Sequence, residues 1–203
     1  MKNYSNFLFL LILLLMLSCN TKNSEAIKIV SEVSQEISAN DYKSGKWLEQ
    51  LPEKKPLTFG QLETVVPKSL NGMPLIKVID DSKKGRVALK AVYSNSKDPN
   101  KDAIHINFFI TDGAGEEGYK HLKSTFNMLK FPLDKEEGAK ISKISEWKGK
   151  RLAINQRLVK EKWVSIQEFI STQRYHLKLE GQNLKAAQLD ESIAVVEQIR
   201  FPE

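Results

Sequence analysis

The feature that most constrains this chain is a series of short segments in which apolar and polar residues alternate, separated by turns too brief for a crossover. Val87, Leu89, Ala91 and Tyr93 alternate with Ala88, Lys90 and Ser94, and Ile104, Ile106, Phe108 and Ile110 recur at the same period. A period of two places successive side chains on opposite faces of a strand. The pattern predicts strands over Met73–Asp80, Arg86–Ser94 and Ala103–Thr111, with Asp98, Pro99 and Asn100 turning the chain between the last two. It predicts four more over Ile141–Trp147, Arg151–Leu158, Trp163–Ile170 and Arg174–Glu180. A tight turn at Lys148, Gly149 and Lys150 joins the first pair of these. Strands joined by such turns must pair antiparallel, because a parallel connection needs a dozen residues or more.

Two segments keep the helical period instead. Glu116–Phe131 sets Tyr119, Leu122, Phe126 and Leu129 on one side before Pro132, and a final helix presents Leu189, Ile193, Val196 and Ile199. Thr58 is placed to cap a short helix through Leu62 and Val66 that Pro67 ends, and Asn71-Gly72 signals a turn. The expectation is an α+β domain over residues 57–203, an antiparallel sheet of about seven strands packed by two main helices.

What precedes Leu57 reads differently. Lys2 and the terminal amine lead into an apolar run from Phe7 to Leu17, the size of a signal-peptide core. As a helix that run would span about 16 Å at 1.5 Å per residue, too short for a bilayer's hydrocarbon core. Leu17-Ser18-Cys19 follows directly and resembles the bacterial lipobox, with small Ser18 before the cysteine and Met16 where the motif prefers leucine. The resemblance implies that residues 1–18 are removed and Cys19, the only cysteine of the chain, is acylated. Several acyl chains bury enough methylene groups for a firm anchor, at about 0.8 kcal/mol each. Asn20 stands where many Gram-negative inner-membrane lipoproteins carry aspartate, which implies the outer membrane, facing the periplasm. Residues 19–56 then form a lipidated tether. Within it Ser24–Asn40 carries Ile27, Val30, Val33 and Ile37 as a narrow amphipathic stripe, read as a helix that docks on its own domain. Gly45, Pro52 and Pro56 mark Asp41–Pro56 as a linker.

Several short stretches together carry a resemblance. They are Leu57-Thr58, Gln61-Leu62, Val66-Pro67-Lys68-Ser69-Leu70-Asn71-Gly72, Tyr93-Ser94, Ile110-Thr111-Asp112, Arg174-Tyr175 leading to Gly181, and Leu184-Lys185-Ala186-Ala187. They resemble a family of uncharacterised bacterial, Bacteroidetes-type envelope lipoproteins. The terminal strand and helix ending in Ile199-Arg200-Phe201 are similar to the PsbP-like fold. The resemblance implies a fold and no reaction, so no functional residue transfers.

The chemistry-bearing residues are sparse. Gly113-Ala114-Gly115-Glu116-Glu117-Gly118 matches GxGxxG between a strand and a helix. A dinucleotide site would set a pyrophosphate on that helix N-terminus, beside the like charges of Glu116 and Glu117, so the motif reads as a strand-to-helix loop. His105, His121 and His176 show no metal-ligand spacing. His105 and His176 would share a site only if their strands were neighbours. Glu168 alternates with Val164, Ile166 and Ile170; on an apolar face its pKa would rise, and an edge position or strand bend is the simpler expectation. Lys148, Lys150 and Arg151 form one basic tip and Arg157, Lys160 and Lys162 another, which could meet anionic lipid together if both lay on one side.

The net charge of +6 and pI near 9.2 come from bases interleaved with acids, the pattern of a solvated surface. No aromatic–basic signature points to nucleic acid. The sequence assigns no catalytic residue, metal or cofactor. It leaves a lipid-anchored envelope protein that binds or scaffolds, held to the membrane through Cys19 and meeting a protein partner. The alternative is a carrier of an acyl chain in a cavity lined by Phe108, Phe126 and Trp163, with an enzyme third.

Overall fold

The computed structural model describes residues 44–96 and 103–202. The leader, Cys19, the 24–40 stripe and the Asp98-Pro99-Asn100 turn lie outside the described residues. The described chain is α+β: one antiparallel sheet of nine strands in the order β1-β2-β3-β4-β9-β8-β7-β6-β5. Its strands are β1 Ser69–Leu70, β2 Met73–Asp80, β3 Ala88–Ser94, β4 His105–Asp112, β5 Asp134–Glu137, β6 Lys140–Trp147, β7 Lys150–Val159, β8 Lys162–Ser171 and β9 Tyr175–Gln182. The helices are α1 Phe59–Glu63, α2 Gly115–Lys130 and α3 Asp190–Val196.

The seven expected strands are all present, and two more raise the count to nine. Both additions are edge strands without an alternating pattern. β1 has only two residues, and all four residues of β5 are exposed. β1 buries Leu70 but is too short to show a period, and wholly exposed β5 has no buried face to mark its sequence.

The topology is two meanders, β1–β4 and β5–β9, joined by α2. β4 and β9 pair along eight positions, from His105 opposite Gln182 to Asp112 opposite Tyr175, and so join the two meanders into one open sheet. The turns at Lys148-Gly149, Lys160-Glu161 and Thr172-Gln173 all have positive φ at both residues. That backbone matches the strand twist of two-residue hairpins.

The alternating residues decide what each face buries. Leu89, Ala91, Tyr93, Ile106, Phe108, Ile110, Leu177 and Leu179 point to one side. There they pack with Leu62 of α1 and with Ile193 and Val196 of α3. Thr58 caps α1 as the sequence predicts: its hydroxyl accepts from Gln61 N at 3.2 Å while the Gln61 side chain accepts from Thr58 N at 2.8 Å. On the other face, Leu122, Phe126 and Leu129 of α2 pack on Ala153 and Ile170.

That second core takes in residues 46–51 of the segment read as a linker. Lys46–Gln50 forms a 3₁₀ helix, and Leu48 and Leu51 are buried against the α2 residues. Trp47 meets Phe126 edge-on, with ring centroids 5.7 Å apart. Gly and Pro here shape a short packed segment, and the folded unit starts upstream of Leu57.

Candidate functional site

Two ionic assemblies gather most of the chemistry-bearing residues of the described chain. The first lies under α2. β8 and β9 are adjacent, with Glu168 opposite Lys178 and Ile170 opposite His176, so Glu168 and His176 share the face that α2 covers. His121, one residue before the buried Leu122 on α2, leans over the same face. The result is a hydrogen-bonded row. Arg86 Nη1 lies 3.3 Å from His121 Nδ1, His121 Nε2 lies 2.9 Å from His176 Nδ1, and His176 Nε2 lies 2.9 Å from Glu168 Oε2.

The ends of this row fix its direction. A guanidinium can only donate and a carboxylate can only accept. Arg86 therefore donates to His121 Nδ1, His121 donates through Nε2–H to His176, and His176 donates through Nε2–H to Glu168. In this arrangement each imidazole donates through Nε2–H, and His121 Nδ1 is left as the acceptor for Arg86. A proton added at His121 Nδ1 would remove the acceptor that Arg86 uses and set two cations face to face.

The pKa shifts follow from that geometry. Burial, then the nearby charges of His176 and Arg86, push His121 down from 6.5 to about 4. Burial alone would raise the Glu168 carboxyl. The hydrogen bond from His176 and the charges of His176, Lys178 and His121 outweigh it, and Glu168 ends below its ordinary value. The expectation of a raised Glu168 is therefore reversed. So is the edge reading, since β8 is an interior strand.

The histidine pair also differs from the sequence expectation. β4 and β9 are neighbours, yet His105 sits opposite Gln182 while His176 sits opposite Thr111. Six residues of strand separate those positions, about 20 Å at roughly 3.3 Å per residue. His176 meets His121 instead, with tilted rings 5.1 Å apart. The groups form a row in which each bonds the next. Among the described residues no cluster of three or more His, Cys, Asp or Glu could hold a metal ion.

The second assembly explains the glycine loop. Asp112, fully buried at the end of β4, accepts from Leu57 N, Ala114 N, Arg174 Nε and Arg174 Nη2, each at 2.8–2.9 Å. Arg174 Nη2 also reaches Lys55 O at 3.0 Å. One carboxylate thus ties together the 55–57 segment, the start of α2 and the β8–β9 turn. The glycines serve this closeness. A Cβ on Gly113 would stand 2.5 Å from Leu122 Cδ2 and 2.6 Å from Arg174 O, and one on Gly118 would stand 2.5 Å from Asp112 O. The amides a pyrophosphate would need at this helix start are already taken, Ala114 N by Asp112 Oδ1 and Gly115 N by Leu51 O, each at 2.9 Å.

No family model, curated protein or solved structure matches the chain.

The basic tips part company in the fold. Lys148-Gly149 and Lys160-Glu161 lie at opposite ends of the ten-residue β7, so they cannot meet one surface side by side. Lys148 and Lys150 pair with Glu197 at 3.2 and 3.3 Å, and Trp147 Nε1 donates to the same carboxylate at 3.2 Å. Two of the three aromatic residues expected around a carrier cavity are separated by the sheet. Phe108 is in the core with α1 and α3, and Phe126 is in the core under α2 on the other face. Among the described residues no helix is long and apolar enough to cross a membrane.

Proposed function

We propose that the protein is a lipid-anchored cell-envelope module that binds or scaffolds a protein partner. In this reading residues 1–18 are a leader and Cys19 carries the acyl chains. The 44–202 unit, PsbP-like in its helix-flanked antiparallel sheet, works at the outer membrane on the periplasmic side.

The observation that carries the reading is how the titratable groups are used. Both ring nitrogens of His121 and of His176 are engaged, and the row ends on Arg86 and Glu168. Asp112 accepts four hydrogen bonds and Glu197 bonds Trp147 and two lysines. A general base needs a lone pair within reach of a substrate proton. Here the lone pairs hold elements of the fold to one another, which supports a binding surface over turnover.

Crosslinking in the native membrane, detergent extraction and mass spectrometry of the crosslinked product test this. The reading expects one envelope protein, joined at the same residues in independent preparations. A product holding lipid alone would overturn it in favour of the acyl-chain carrier.

A further inference from the structure

β2 runs along one side of the sheet, and only its start is covered. β1 pairs Ser69 with Pro74 and Leu70 with Met73, and Lys68 O takes the Leu75 N–H at 2.9 Å. Past that point no strand among the described residues pairs with the outer side of β2. The register with β3 shifts between Leu75 and Lys77, then runs without a break to Asp80 opposite Leu89. Asp81 N continues it, donating to Ala88 O at 3.1 Å. In an antiparallel ladder alternate residues turn both backbone groups to the same neighbour. Lys77, Ile79 and Asp81 therefore bond β3, while Val78 and Asp80 turn their N–H and C=O outward.

A row of outward backbone groups is completed by another extended strand. Two copies related by an axis normal to the sheet would pair antiparallel, with Val78 or Asp80 of one bonding Val78 or Asp80 of the other. Val78 opposite Val78 sets Lys77 against Ile79 and Ile76 against Asp80. Asp80 opposite Asp80 sets two carboxylates together. Val78 opposite Asp80 sets Ile79 against Ile79 on the axis and Lys77 against Asp81 on each side of it, so apolar meets apolar and cation meets carboxylate. Ile79 is 38% exposed, Lys77 is exposed, and Asp81 has a loose contact with Lys83 at 3.8 Å. The Asp80 carboxylate keeps its own bond from Ser82 N at 2.9 Å. A bulge and a lysine commonly keep an edge from pairing. Here the register shift precedes the open stretch, and self-pairing supplies Lys77 with its acid.

We propose that two copies of the chain pair antiparallel through residues 77–81 of β2, across a two-fold axis at Ile79. Such a contact is isologous and closes at two copies. It goes beyond the partner reading above and holds whether or not Cys19 is acylated. The opposite edge offers no such match, since exposed β5 carries three acids and one lysine.

The test uses the full chain in detergent, oxidised with copper phenanthroline and resolved by non-reducing electrophoresis, with the unsubstituted chain as the control for Cys19. Ile79→Cys should link most chains as dimers, because the Cα atoms of a non-hydrogen-bonded pair lie about 4.5 Å apart, within disulfide reach. Ile76→Cys, on the same edge and 43% exposed, should add no dimer over the control. Ile76 falls opposite Ser82 in this register, which leaves the two copies of position 76 about 20 Å apart. In sedimentation of the cysteine-free-edge chains, Lys77→Asp and Asp81→Lys should each weaken the dimer severalfold, and the double variant should restore it.

Equal linkage at positions 76 and 79 would show collision without register and overturn the proposal, as would a native chain that sediments as a monomer. Particles larger than a dimer would overturn the closed pair. A double variant no tighter than either single one would overturn the register that sets Lys77 against Asp81.

Discussion

Replacing His121 with glutamine should flatten the acid-side loss of stability. In the folded chain His121 accepts a proton only near pH 4, whereas an unfolded histidine accepts one near 6.5. Between those values the unfolded state binds more protons, so stability falls as the pH is lowered through that window. A shift of about 2.5 units at 1.36 kcal/mol each sets a ceiling of about 3.4 kcal/mol. His121 is partly exposed, and solvent screening reduces this to about 1.5–2 kcal/mol. From pH 7 to pH 5 just over half of the window is crossed, worth about 1 kcal/mol. Glutamine can accept from Arg86 and donate to His176 but cannot titrate. Urea unfolding at pH 7 and pH 5 should therefore show the native chain losing about 1 kcal/mol more than His121→Gln, roughly 0.5 M in midpoint. Equal losses in the two proteins would refute both the tautomer assignment and the direction of the row.

The remaining predictions concern what holds the fold. Asp112→Asn leaves Arg174 facing a neutral amide in a buried site, and should cost about 3 kcal/mol, or roughly 6–12 °C in thermal melting. Gly118→Ala should destabilise by about 1–3 kcal/mol through its clash with Asp112 O. Gly60→Ala, on the short α1 with nothing within 4 Å of the new Cβ, should be neutral or stabilising by up to about 1 kcal/mol. Thermal melting should show Gly118→Ala lowered and Gly60→Ala unchanged or raised. Glu197→Gln removes a carboxylate held below its ordinary value by its bonds to Trp147, Lys148 and Lys150, against the upward push of burial. Its stability contribution is present above the ordinary carboxylate range and lost on acidification, so the variant should be weaker at pH 7 and approach the native chain near pH 3 by urea unfolding.

How much of this was legible in the sequence depended on burial. Strands such as β3 and β4, half-covered and flanked by turns, wrote their period plainly because one face had to be apolar. Exposed β5 had no such obligation, and two-residue β1, although it buries Leu70, was too short to show a period. Leu48 and Leu51 were obscured by neighbouring glycine and prolines, which here shape a packed 3₁₀ segment. The His121–His176 contact spans 55 residues and depends on how α2 crosses β9, which no local spacing encodes. A polar His121 beside the buried stripe of Leu122, Thr125 and Phe126 was the one available hint. Glu168 was correctly singled out as a carboxylate among apolar neighbours, but the sign of its shift belongs to His176, a partner that only the strand pairing supplies.

The proposed function rests on acylation of Cys19. Mass spectrometry of the amino-terminal peptide of the protein purified from membranes measures it directly. The account predicts a chain beginning at Cys19 and bearing a diacylglyceryl group on sulfur. A chain beginning elsewhere, or a Cys19 with a free thiol, would contradict it.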